Sequence, residues 1–100
     1  MSIKVVAIND LVARDASGEI SDKTAADLAA TFYVTGMLTY DLARHAGRTH
    51  HESVLAARHE LWLLKSEINL TVKSWSKVFR RLFKAACKDR HAYEIFLGEV

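Results

Sequence analysis

The sequence contains no proline and only four glycines among its 100 residues. These two residue types most often interrupt helices and form turns, and alternating strand patterns joined by turn dipeptides are almost absent. Apolar residues instead recur at helical spacing, most clearly between Ser74 and Lys88. The pattern predicts an all-α fold, a compact bundle of four to five helices that forms a single domain over residues 1–100. With half of its residues apolar, the chain is also too apolar for a disordered protein.

The beginning of the chain fits two structures. Apolar residues between positions 3 and 8 suit a short strand, whereas those between positions 8 and 12 suit a helix. We expect a helix over residues 2–16, because the rest of the chain is helical. Gly18 is suited to the turn that closes it, and Ile20 should pack inward after that turn.

Two longer helices follow, each with a recognisable start. Ser21 or Asp22 can cap the first, whose apolar stripe runs for about six turns and ends at Gly47. A capping box of Thr49 and Glu52 opens the second. Its residues 61–64, Leu-Trp-Leu-Leu, are apolar on most sides of the helix. This helix is therefore expected to be central in the core.

The end of the helix that Thr49 opens is less clearly marked. No glycine or proline stops it, but several weak helix formers lie between Asn69 and Ser76. We predict a kink or short break at Asn69–Ser74, with Ser74 capping the next helix. Asp89 can then cap a last short helix over residues 90–97.

The helix between Ser74 and Lys88 has an apolar side, expected to lie in the core, and a cationic side. No acid interrupts the basic residues, although like charges at this spacing repel one another. Such a row can neutralise phosphates or meet an acidic protein patch. The alternative is the solvated face of an ordinary amphipathic helix. The predicted partner-binding residues are Lys73, Lys77, Arg80, Arg81, Lys84 and Lys88.

Charge is unevenly distributed along the chain. Residues 1–43 carry three basic residues and six acids, and residues 44–91 carry eleven basic residues and four acids. The net charge is nevertheless only +2. The asymmetry predicts either a cationic half that meets an acidic partner, or two halves that neutralise each other on folding.

No motif for catalysis or metal binding is present. The five histidines lack the i, i+4 spacing at which two helical residues bind one metal ion, and the single cysteine, Cys87, has no partner for a disulfide. No phosphate-binding glycine loop or nucleophile motif occurs. We therefore expect a protein that is not an enzyme and has no metal or cofactor. Cys87 should be a small buried side chain on the apolar side of its helix.

Residues 42–55, LARHAGRTHHESVL, resemble a helix-turn-helix. A helix reaches Gly47, and Thr49 opens another. Two positions depart from the motif: Arg48 stands where an apolar residue fills the turn, and Ser53 where a branched apolar residue anchors the second helix. The resemblance implies nucleic-acid binding, and a plain helical hairpin is the other interpretation. The nucleic-acid-binding candidates are Arg48, His50, His51 and Arg58.

These observations favour a small helical binding protein of the inhibitor or adaptor type, which docks on an acidic protein or nucleoprotein surface. In size and type it is similar to phage-encoded antagonists of host defence such as anti-CRISPR proteins, although no residue motif carries that similarity. A nucleic-acid-binding protein is the alternative. The sequence shows neither a membrane span nor a signal peptide, so a cytoplasmic location is expected. A homodimer could bury the leucines and tryptophan of residues 61–64.

Overall fold

The computed structural model of the protein describes residues 20–97, which contain four α-helices and no strand. The prediction of an all-helical fold is confirmed for this part of the chain. The helix expected over residues 2–16 lies outside the described residues. The four helices are α1 (Asp22–His45), α2 (His50–Glu67), α3 (Val72–Ala86) and α4 (Arg90–Phe96).

The predicted starts of α1, α2 and α4 are confirmed by their caps. The Ser21 side chain accepts a hydrogen bond from the backbone of Thr24, and the Thr49 side chain accepts one from the backbone of Glu52. Glu52 in turn accepts a bond from the Thr49 backbone, which completes the capping box and lowers the pKa of its carboxyl. Asp89 caps α4 in the same way. Each cap satisfies backbone N–H groups that the first turn of a helix leaves without partners.

The expected break between α2 and α3 is confirmed at residues 68–71, but its cap is Thr71 rather than Ser74. Ser74 lies inside the first turn of α3 and is fully buried. Its Oγ accepts hydrogen bonds from the Ile20 backbone N–H at 3.1 Å and from the Thr71 hydroxyl at 3.0 Å. The residue expected to cap α3 instead ties α3 to the segment that precedes α1.

The central helix is α1, and the expectation that α2 would be central is wrong. α1 packs against each of the other three helices, whereas the backbones of α2 and α3 hardly approach each other. Small residues allow this, because Ala25, Ala29 and Ala43 on α1 are buried beneath its neighbours. On α2, by contrast, Trp62 is 63% exposed and Leu63 is 37% exposed.

Gly36 joins the two parts of the core. One cluster of buried residues lies near Ile20 and Val78, and the other near Tyr40 and Ile95. Leu61 and Phe96 pack against both clusters, and both approach Gly36. A Cβ at Gly36 would lie 2.7 Å from Cζ of Phe96 and 3.2 Å from Cδ1 of Leu61. Only glycine leaves room for both side chains at this point of α1.

We expect Gly36→Ala to destabilise the protein by about 1–3 kcal/mol, because the new methyl group overpacks the contact with Phe96. At an uncrowded position in a helix the same change stabilises by about 1 kcal/mol. Urea unfolding measures the difference. In a Phe96→Leu background, which removes the crowding ring, Gly36→Ala should be neutral or stabilising. Stabilisation of the otherwise unchanged protein would show that no such contact exists.

Ser74→Ala should cost about 1–3 kcal/mol, because it leaves the buried backbone N–H of Ile20 without its acceptor. The matched control is Ser76→Ala, two residues away on the exposed side of α3. The control should change the free energy of unfolding by less than about 0.5 kcal/mol. Equal effects of the two substitutions in urea unfolding would remove the assigned role of Ser74.

Candidate functional site

The cationic face of α3, defined as Lys73, Lys77, Arg80, Arg81, Lys84 and Lys88, lies away from the core. Val78, Leu82 and Ala86 turn the other side of the helix inward and are buried. Five of the six basic residues are exposed, and Lys77 is partly buried. The hydrophobic contacts of α3 with α1 thus fix the direction in which the charges point.

Lys77 differs from the rest of the cationic face because the start of α1 engages it. Its Nζ donates a hydrogen bond of 2.9 Å to the backbone carbonyl of Ile20 and lies 3.7 Å from Oδ1 of Asp22. Within residues 20–97, no acid forms an ion pair with any other member of the cationic face. The described part of the acid-rich first half therefore neutralises only one of the six cations.

The middle of the cationic face lines a shallow depression of about 360 Å³. Lys77, Arg80, Arg81 and Lys84 line it together with Asp22. Four cations and one carboxylate leave a local excess of positive charge. A concave surface of one sign attracts anionic groups more strongly than scattered exposed charges do.

Aromatic side chains border this charged surface, contrary to the expectation that the whole apolar side of α3 would be in the core. Phe83 is 55% exposed and Phe79 is 40% exposed. Cys87, expected to be buried, is exposed at the C-terminal cap of α3. The reason is that α3 packs mainly on α1 and α4, which cover a narrower strip than its apolar residues occupy.

The four candidates of the helix-turn-helix alternative do not share one exposed surface. Arg48 and His51 are exposed at the α1–α2 connection. Arg58 is partly buried, and its Nη1 is inaccessible and has no hydrogen-bond partner in the described part of the chain. His50 is held within the protein on both sides of its ring. Its Nδ1 lies 2.6 Å from the Tyr40 hydroxyl, and its Nε2 contacts the Glu94 carboxylate.

His50 therefore belongs to a polar cluster that joins α1, α2 and α4. A carboxylate only accepts hydrogen bonds, so Nε2 of His50 donates to Glu94. Nδ1 then accepts from the Tyr40 hydroxyl when the ring is neutral and donates to it when the ring is protonated. The ring of His91 lies 5.1 Å from the rings of both Tyr40 and His50. No local sequence pattern predicts this cluster, because His50 and Glu94 are 44 positions apart.

Within residues 20–97, no group of three or more histidine, cysteine, aspartate or glutamate side chains is arranged to hold a metal ion. None of the four helices is both long and apolar enough to cross a bilayer. A cytoplasmic location remains a prediction.

The Glu94→Gln variant tests this polar cluster through the pH dependence of the free energy of unfolding. Hydrogen bonding by His50, supplemented by the charges of His50 and Arg90, holds the pKa of Glu94 below its ordinary value of 4.5. A depressed pKa means that the carboxylate stabilises the fold above its unfolded pKa, and this stabilisation is lost as the pH falls through the folded pKa. We expect the wild type to be more stable than Glu94→Gln at about pH 6, and the difference to shrink as the pH falls below 4.5 through the lowered pKa of Glu94.

Urea unfolding across this pH range measures the effect. The control is Glu60→Gln, an exposed glutamate on α2, and it should follow the wild type throughout. A difference between wild type and Glu94→Gln that stays constant from neutral to acidic pH would contradict the assigned role of the carboxylate.

Comparison with known proteins adds no relative to this description. No protein-family model matches the chain, and no match to it was found among curated proteins or solved structures. A functional assignment therefore depends on the chemistry of the described residues.

Proposed function

We propose that this protein is a non-enzymatic binding protein of the inhibitor or adaptor type. It docks through the cationic face of α3 on an acidic protein or on the acidic surface of a nucleoprotein. The observation that carries the proposal is the depression in which four cations face one carboxylate. Arg80, Arg81 and Lys84 have no acidic partner among the described residues, so their charges are available to another molecule.

The exposed aromatic residues beside the charges support a protein partner. Protein interfaces are enriched in arginine and aromatic side chains, which supply most of the binding energy at their centres. Phe79 and Phe83 provide apolar area next to Arg80 and Lys84 on the same helix. A solvated amphipathic helix has no need to keep two phenylalanines at its surface.

A phage-type antagonist of a host nucleoprotein machine is one form that such a protein could take. A cationic helix can bind an acidic surface on the protein component of such a machine. It can also cover the phosphates of nucleic acid that the machine has already bound. The affinity would then fall as the salt concentration rises, because counterions compete with the lysines and arginines.

Direct nucleic-acid binding is the alternative function. The cationic face can follow a phosphate backbone, and Phe79 or Phe83 can stack on unpaired bases. The helix-turn-helix-like residues Arg48 and His51 offer a second surface for the same ligand.

We also propose that the protein associates with a second copy of itself through α2. Trp62 and Leu63 are exposed, and a symmetric dimer would bury them. Sedimentation of the reduced protein measures this, and a monomer at high micromolar concentration would count against a dimer.

The cationic face is tested by Arg80→Glu combined with Arg81→Glu. We expect partner capture from an extract of the source cells to fall at least about tenfold, because two attractive charges become repulsive. The matched control is Arg44→Glu combined with Arg48→Glu, at the α1–α2 connection. Each pair replaces two positive charges by two negative ones, so both proteins have the same net charge.

The two double variants also separate the proposal from its alternative. Equal capture by both, with circular dichroism confirming the fold, would leave the cationic face with no role beyond solvation. A gel shift with generic DNA and RNA at low and high salt tests direct binding. Retention that only Arg44→Glu with Arg48→Glu abolishes would favour the helix-turn-helix-like surface instead.

A further inference from the structure

A cleft of about 330 Å³ lies where α2 and α3 diverge. Phe32 of α1 lines it, and the end of α4 contributes Ile95, Phe96 and Leu97. The α2 side is formed by Arg58, Leu61, Trp62 and Lys65, and the α3 side by Phe79 and Leu82. This volume lies at the lower end of the range for small-molecule sites, about 300–1,000 Å³.

Arg58 is the unusual residue in this cleft. Its Nη1 is inaccessible to solvent and has no hydrogen-bond partner among residues 20–97. A buried donor without an acceptor is destabilising, especially when it belongs to a charged group. None of the described residues that line the cleft is acidic, so they supply no carboxylate to Arg58. Nη1 is closed off in this conformation, and an acceptor on a bound molecule reaches it only after a small rotation of the Arg58 side chain, which lines the cleft.

The other cation of the cleft, Lys65, is already engaged. Its Nζ lies 5.2 Å from the ring centre of Trp75 and 4.9 Å from that of Phe79, so it bridges α2 and α3 through cation–π contacts. The anionic group of a ligand would therefore meet one guanidinium and few other donors. A carboxylate with a single charge suits such a site better than a phosphate, which needs more donors.

The lining indicates what the rest of the ligand must be. Phe32, Leu61 and Phe79 present apolar surface, and Trp62 leaves most of its ring exposed at the edge. We infer that the cleft between α2 and α3 binds a small carboxylate with an apolar or aromatic body, and that Arg58 binds the carboxylate. This site shares Phe79 with the aromatic border of the cationic face but contains none of its six cations, and it does not depend on the proposed function.

The test compares 4-phenylbutyrate with its uncharged analogue 4-phenylbutan-1-ol. Titration calorimetry gives the affinities, and the NMR signals of Trp62 and Phe79 report the location. We expect the acid to shift these signals and to bind the wild type at least about tenfold more tightly than the alcohol, as a charged hydrogen bond allows. This comparison requires no substitution and is therefore unaffected by any change in folding.

Arg58→Met removes the charge while keeping an apolar side chain of similar length. It should weaken binding of the acid at least about tenfold and leave binding of the alcohol unchanged. The control Arg80→Met removes an exposed arginine outside the cleft and should leave both affinities unchanged. Absence of binding by the acid, equal affinities of acid and alcohol for the wild type, or full retention of acid binding by Arg58→Met would each overturn the inference.

Discussion

The close contact at Gly36 is the constraint on which the arrangement of the helices depends. At this point of α1, Leu61 of α2 and Phe96 of α4 meet the same stretch of backbone, and both parts of the core include these two side chains. A larger residue would separate the last helix from the first hairpin. Because Ala25 and Ala29 provide similar room further along α1, three helices can pack on one.

Packing around a single helix explains the surfaces that remain open. Since α2 and α3 both contact α1 rather than each other, each has an apolar flank that no other described helix covers. Trp62 lies on one flank and Phe79 on the other, with Lys65 spanning the gap through the aromatic rings of α3. The same geometry directs the basic residues of α3 outward, so charged and aromatic surface occur side by side on one short helix.

The sequence predicted local features well and contacts between distant residues poorly. Capping residues such as Thr49 and Asp89 act within one turn, so their patterns identified helix starts correctly. The prediction of the central helix was wrong because it relied on the apolar run at residues 61–64. The small residues of α1 let other helices approach closely, and this effect is visible only once those helices are in place. The prediction that Cys87 is buried was wrong for a related reason. Helical periodicity identifies the apolar side of a helix but not how much of that side the neighbouring helices cover.

In the candidate site, too, local features were predicted and contacts between distant residues were not. The sequence identified the row of cations on α3, because it requires only helical spacing, but not the link from Lys77 to the start of α1, 57 positions away in sequence. It also gave no indication that His50 would be engaged by Tyr40 and Glu94.

The short connection between α1 and α2 affects how the chain folds. Four residues join these helices, so the contacts beside the connection close small loops and those further along can form one after another. Attachment of α3 to Ile20 through Ser74 closes a loop of 54 positions, and loop-closure entropy opposes it more strongly. The hairpin can therefore nucleate collapse, and the helix that carries the basic residues reaches its position after the platform beneath it has formed.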